Sequence, residues 1–186
     1  ISEPPTDQTK PVGQNAYFTI GVSGGETGAT ITWQWQFRTS ATGVWKNSSK
    51  GNPKTETLTV EATAARNGYQ YRCIVSDGTT TLTSEPATLT IASPITLTDP
   101  ESTTITPDTD ATFTISATGT GDLTYQWESS EDNGTTWSAI SGANEATLTI
   151  NGADAVDGTQ YRCTVSDNYG QSKTSNAATL TVETPV

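Results

Sequence analysis

Gly68-Tyr69-Gln70-Tyr71-Arg72-Cys73 and Gly158-Thr159-Gln160-Tyr161-Arg162-Cys163 are two copies of one hexapeptide, 90 residues apart. In each, Tyr and Cys alternate with Gln and Arg, and the alternation runs on to Val75 and Val165. A period of two belongs to a β-strand, whose successive side chains leave on opposite faces. Tyr71, Cys73 and Val75 therefore share one apolar face, as do Tyr161, Cys163 and Val165. Asn67-Gly68 and Asp157-Gly158 precede the two runs and mark the turn that delivers the chain to each strand.

Working outward, the duplication extends over the whole chain. Trp35-Gln36 recurs as Trp127-Glu128, preceded by Thr32-Trp33-Gln34 and Thr124-Tyr125-Gln126. A second Trp follows ten residues later in both copies, at Trp45 and Trp137. Ser84 to Ile91 matches Ser175 to Val182. Such self-similarity predicts two homologous modules, residues 1–92 and 93–186. Ala92-Ser93-Pro94 is the joint; Pro94 has a fixed φ and no ladder donor. So short a connection is expected to restrict rotation between the modules.

Further strands follow from the same periodicity. Ala16, Phe18, Ile20 and Val22 alternate with polar or small residues, as do Ala111, Phe113, Ile115 and Ala117. Leu58 and Val60 match Leu148 and Ile150. Between the runs lie Ser23-Gly24-Gly25, Asp77-Gly78, Asp132-Asn133-Gly134 and Asp167-Asn168-Tyr169-Gly170, all turn formers. The 39 Thr and 17 Ser among 186 residues favour strands over long helices. The expected fold class is all-β, with short strands at sandwich spacing. No run of 18 apolar residues occurs, so membrane insertion by a helix is not expected.

A core Trp followed 36–38 residues later by Tyr-x-Cys resembles the immunoglobulin-like fold. Trp35 and Trp127 match its core Trp, and Tyr71 and Tyr161 its tyrosine corner. A closer resemblance is to tandem immunoglobulin-like (I-set-like) repeats of bacterial secreted and cell-surface proteins. The second module carries it in Tyr125-Gln126-Trp127, Gly134-Thr135-Thr136-Trp137, Gln160-Tyr161-Arg162-Cys163 and Ser175 to Val182. The first departs, with Trp33 for Tyr125 and Thr42-Gly43-Val44-Trp45 in the hairpin. The resemblance implies two tandem immunoglobulin-like β-sandwich domains. Antibody-type domains join strands B and F by a disulfide, but the strand-B positions here hold Ile20 and Ile115. The B–F disulfide is thus expected to be lacking. Cys73 and Cys163 become lone thiols in separate cores, with Ile20, Trp35 and Tyr71 around one and Ile115, Trp127 and Tyr161 around the other.

Composition narrows the chemistry. The chain has no His, which removes the commonest general base and metal ligand. Its net charge of −11 is segregated: residues 1–92 sum to zero, and 93–186 carry all of it. So acidic a chain is expected to repel nucleic acid and anionic membranes. Calcium is the cation to weigh, through Glu131, Asp132 and Asn133, Asp108 and Asp110, or Asp154 and Asp157. None of these has a calcium-loop spacing. Glu131 and Asp132 are adjacent on a hairpin tip and so diverge, unlike a glycosidase pair. No catalytic, cofactor-binding or metal residue is assigned.

Aromatic residues are the candidates for ligand stacking: Trp45, Trp137 and Tyr169, the last in a turn and expected to be exposed. Trp33 and Tyr125 share the parity of the core Trp and are expected to face inward. Lys10 and Lys173 are poorly placed for a covalent crosslink to a neighbouring strand.

The chain begins at Ile1 and is expected to be a monomeric part of a longer multidomain protein. The reading is of non-catalytic spacer or adhesion modules, extracellular or on a cell surface, with a protein or glycan partner. Two alternatives stand beside it. One is a carbohydrate-binding or host-adhesion module accessory to a polysaccharide-degrading enzyme. The other is an immunoglobulin-like decoration protein on a phage surface.

Overall fold

The computed structural model describes residues 1–25 and 27–183; residues 184–186, at the end of the second module, lie outside the described residues. The chain divides into two compact units, Ile1–Ala92 and Ser93–Val186.

The strands of the first unit are β1 (Gln8–Lys10), β2 (Asn15–Thr19), β3 (Thr32–Arg38), β4 (Lys46–Asn47), β5 (Thr57–Glu61), β6 (Gln70–Ser76), β7 (Thr81–Thr83) and β8 (Ala87–Ile91). The larger sheet runs β1-β8-β6-β3-β4, with β7 also on β6. Facing it, β2 pairs antiparallel with β5, and a Glu3–Gly21 bridge extends that layer. In the second unit come β9 (Thr96–Thr98), β10 (Thr103–Ile105), β11 (Ala111–Thr114), β12 (Ser116–Thr118), β13 (Leu123–Ser130), β14 (Ser138–Ala139), β15 (Thr147–Ile150), β16 (Gln160–Asp167), β17 (Ser172–Thr174) and β18 (Ala178–Val182). Its larger sheet, β10-β18-β16-β13-β14, repeats the first, with β17 on β16. The opposing layer is β11 with β15 and β12 with β9. β1 and β10 pair parallel to the last strand of their own unit.

Alternation decides what is buried. Along β6 and β16, Tyr, Cys and Val point inward, while Gln and Arg face out. Trp35 lies directly across the ladder from Cys73, and Trp127 from Cys163. Both indoles and both thiols have no exposed surface. Ile20 and Ile115 are buried with them. Phe18 stacks on Tyr71 at 4.7 Å between ring centroids, and Phe113 lies 4.8 Å from Tyr161. A buried indole N–H needs an acceptor. Trp35 Nε1 donates to Thr55 O and Trp127 Nε1 to Glu145 O, both at 2.9 Å. Cys73 and Cys163 are free thiols in separate cores. Burial pushes each thiol up to about 11, so both stay protonated and unreactive at neutral pH.

Short 3-10 turns, Ala64–Arg66 and Gly152–Asp154, precede the Tyr-x-Cys strands. Gly68 and Gly158 then take φ +80°, a left-handed step that other residues adopt at a cost. Asn67 Oδ1 accepts from Ile91 N and Asp157 Oδ1 from Val182 N, both at 2.9 Å, tying each turn to the last strand.

Two departures from the simple alternation have identifiable causes. The last strand of each unit is broken in two, β7 from β8 and β17 from β18. At the breaks, Ser84 and Ser175 turn inward: Cys73 N donates to Ser84 Oγ and Cys163 N to Ser175 Oγ, both at 3.0 Å. The second unit's Ala111–Thr118 run is likewise split at Ile115, whose N–H bonds Ala146 O at 3.0 Å.

Candidate functional site

The outward face of each larger sheet gathers the polar half of the alternation. In the first unit Gln36 stands opposite Arg72, and Arg38 opposite Gln70. Trp45 precedes β4 by one residue and shares the outward parity of Asn47, which pairs with Gln36. Its indole is half-buried beneath two guanidiniums. Arg72 Cζ lies 4.2 Å and Arg38 Cζ 4.7 Å from the ring centroid. Arg72 Nε donates to Gln36 Oε1 at 2.9 Å, and Arg38 Nε to Gln70 Oε1 at 2.7 Å. Burial first, and then the nearby Arg38 charge, lowers the Arg72 pKa.

The second unit builds the same platform with different charges. Arg162 Cζ lies 4.1 Å from the Trp137 centroid. Where Gln36 stands in the first unit, Glu128 stands here, and its Oε2 accepts from Arg162 Nε at 2.7 Å. The position of Arg38 is taken by buried Ser130. Trp137 Nε1 donates to Gly134 O at 3.1 Å, locking the ring over its hairpin.

Trp45 and Trp137 were the sequence candidates for stacking on a ligand. Each has a guanidinium over its ring, and a sugar stacked on that face must displace it. The sequence alone does not single out Arg38, Arg72, Arg162 or Glu128. The signal was present in the repeated Gln-x-Arg of the hexapeptide, but reading it needs the cross-strand register. Tyr169 differs from its expected exposure. It is half-buried, its ring passing so close to Gly121 that a Cβ there would meet Tyr169 Cε2 at 2.8 Å. Trp33 and Tyr125 pack against the two cores.

Of the acidic candidates, Asp110, Asp132 and Asp157 are engaged by hydrogen bonds. Asp132 accepts from Ser130 Oγ, Thr136 N and Thr136 Oγ1 at 2.6–2.8 Å, and the Thr136 hydroxyl above all holds its carboxyl down at about 2. Asn133, at φ +55°, accepts from Gln160 Nε2 at 3.1 Å. Asp110 Oδ1 accepts from Gly152 N at 2.9 Å. Asp154 closes a 3-10 turn, Asp157 is spent on Val182 N, and Glu131 and Asp108 are exposed. Among the described residues no three Asp, Glu, His or Cys converge as a metal-binding group. No helix among the described residues is long and apolar enough to cross a membrane.

The first unit also has a cleft of about 630 Å³ beside β5, lined among others by Phe37, Tyr69, Tyr71, Arg66, Lys50 and Asn15. Phe37 and Tyr69 are nearly parallel there, 6.2 Å apart at 10°. Gly51, at φ +74°, lets the chain lie against β5. A Cβ there would collide with Thr59 O. Burial raises the Tyr71 hydroxyl to about 12.

Among solved structures, the crystal structure of DIP-gamma IG1+IG2 is similar over 96% of this chain and 94% of that one, with TM-score 0.51 and 15% identity. Each half of the chain is an immunoglobulin-like β-sandwich. Also similar are a structure described as "Structural basis for Dscam isoform specificity" (20% identity, 98% of this chain, TM-score 0.47) and the N-terminal four Ig domains of Dscam1 isoform 7.44 (19% identity, 98% of this chain, TM-score 0.47). The chain spans 45% and 44% of the lengths of those two. A family model described as "Domain of unknown function (DUF8696)" matches residues 96–184, the second sandwich. No curated protein matches the chain.

Proposed function

We propose that the chain is a pair of non-catalytic immunoglobulin-like modules from a bacterial surface or secreted protein, serving adhesion and spacing. The observation that carries this reading is the repeated arginine–tryptophan face. Both sandwiches bury a core centred on aromatic residues and present an ordered platform, Arg38–Trp45–Arg72 and Arg162–Trp137. Faces of fixed polar groups suit recognition. The side chains they display include no nucleophile paired with a base. Of the acidic groups that sequence alone offered for chemistry, Asp110, Asp132 and Asp157 accept backbone N–H groups instead. Antibody raised to the purified chain is expected to label intact source cells or to detect the protein in the medium. Labelling confined to lysed cells would overturn the reading.

A second reading, glycan recognition in the service of a polysaccharide-degrading enzyme, draws support from the first module's cleft. Its volume and its Phe37–Tyr69 wall suit a small ligand with an apolar face. On a neutral-glycan array, Tyr69→Ala is expected to abolish any signal that arises there. A signal untouched by that change removes the cleft from consideration.

A further inference from the structure

We propose that the outward face of the first module's larger sheet, centred on Arg38, Arg72 and Trp45, binds an acidic polysaccharide through its carboxylate or sulfate groups. The proposal goes beyond adhesion and spacing, and it stands wherever the chain is displayed.

The guanidiniums are pre-organised. Each lies over the Trp45 ring, and each gives its Nε to a Gln carbonyl on the neighbouring strand. Among the described residues the Nη groups of both have no hydrogen-bond acceptor, and no carboxylate lies within ion-pair distance of either. A guanidinium presents its N–H groups as a planar fork that matches the two oxygens of a carboxylate or the edge of a sulfate. Two such forks held on one ring, with no carboxylate paired to them among the described residues, make a receptor for an oxyanion. The Arg38 charge, which after burial lowers the Arg72 pKa, is offset when an oxyanion binds at these forks.

The second module supplies the internal comparison. There the same platform carries one arginine, and Glu128 neutralises it at 2.7 Å. Gln36 in place of that glutamate, and Arg38 in place of Ser130, leave the first module's arginines without a paired carboxylate among the described residues.

The surroundings favour a sugar chain over an acidic peptide. Neighbouring outward positions hold Gln34, Asn47, Thr83 and Thr88 beside Ile74. Gln34 is fixed by Trp35 O and Ser48 O, Asn47 by Gln36 Nε2 and Thr88 by Gln70 Nε2. The polar rim around the arginines is thus ordered, and it keeps the Gln34 carbonyl, the Asn47 amide N–H groups and the Thr83 hydroxyl for sugar hydroxyls. A protein interface centres instead on a desolvated apolar patch. The chain's net −11 opposes polyanions at long range. At physiological ionic strength that field is screened beyond about 8 Å, and the local pair decides.

The test is affinity electrophoresis of the full chain through gels containing polygalacturonate (carboxylate), dextran sulfate (sulfate) or neutral dextran. Retardation by one or both acidic polymers, and none by dextran, is expected. Which polymer retards more distinguishes the two oxyanions. The Arg38→Gln/Arg72→Gln double variant is expected to weaken binding about tenfold or more. So is Gln36→Glu, which keeps both arginines and supplies Arg72 with the acid that Arg162 already has. Unchanged melting by circular dichroism shows that the variants are folded. If the double variant fails to fold, Gln36→Glu carries the test alone. Four results would overturn the proposal: no retardation by either acidic polymer, equal retardation by dextran, binding unaltered by Gln36→Glu, or binding lost in Tyr69→Ala instead. Poly-glutamate bound as tightly as the acidic polymers, with the same arginine dependence, would replace the sugar by an acidic peptide.

Discussion

Ser84 and Ser175 stand at the breaks between β7 and β8 and between β17 and β18. Each turns inward at a strand break to accept the backbone N–H of the core cysteine and donates its own O–H to the next carbonyl, Glu85 O or Asn176 O. Ser84→Ala leaves a buried N–H without a partner, and chemical denaturation is expected to show a loss of about 1–3 kcal/mol. A loss below the error of the fit would mean that water replaces the hydroxyl. The thiols beside these serines make a second prediction. Their ordinary value is 9.0, and burial raises both to about 11. Below pH 9 they are neutral folded or unfolded. Between about 9 and 11 the unfolded chain releases protons that the folded one keeps, so stability must fall as pH rises through that window. Melting temperature measured across it should decline, and less steeply in Cys73→Ala/Cys163→Ala. The buried cysteines were legible in the sequence because parity alone puts them opposite Gln and Arg. The serines were visible as repeated residues, but their role lies in a partner on another strand.

At the scale of elements, strands with a contrast between their faces could be read, and strands without one could not. Phe18 against Tyr17 or Cys73 against Arg72 declares a face. Gln8-Thr9-Lys10 is polar on both sides, and Thr96-Leu97-Thr98 and Thr103-Thr104-Ile105 have one apolar residue each, too few to set a period, so their pairing partners follow only from tertiary contact. The candidate face shows the same limit: the recurrence of Trp45 and Trp137 marked the spot, while the arginines above them waited on strand register. The hairpin between β13 and β14 is organised by one carboxylate. Asp132 should titrate near 2 rather than the usual 3.8 in a carbon-detected NMR series, because the donors Thr136 and Ser130 favour its charged form. Since a depressed pKa is linked to order that is lost as pH falls, the turn is expected to loosen progressively as pH drops from 3.8 through about 2. An unshifted midpoint would show the turn open in solution.

For the whole molecule, charge and core are both partitioned at Ala92. Each unit has its own aromatic-centred core, and the entire net charge belongs to the second. Chains 1–92 and 93–186 expressed separately are each expected to unfold cooperatively. Only the second should bind anion exchanger strongly at neutral pH. Failure of either half to fold alone would show that its stability is borrowed. The duplication was legible because nearly every landmark recurs in order. The charge asymmetry was legible by counting, but its consequence at Arg38 and Arg72 needed the sheet.

The absence of a cross-sheet bridge has one more consequence. Antibody-type domains depend on an oxidising compartment to staple their halves together. Here Ile20 and Ile115 fill the places where a second sulfur would stand, so glutathione or dithiothreitol has nothing to cut. The same native state should be reached inside a reducing cytosol and outside the cell, and melting curves with and without reductant should superimpose.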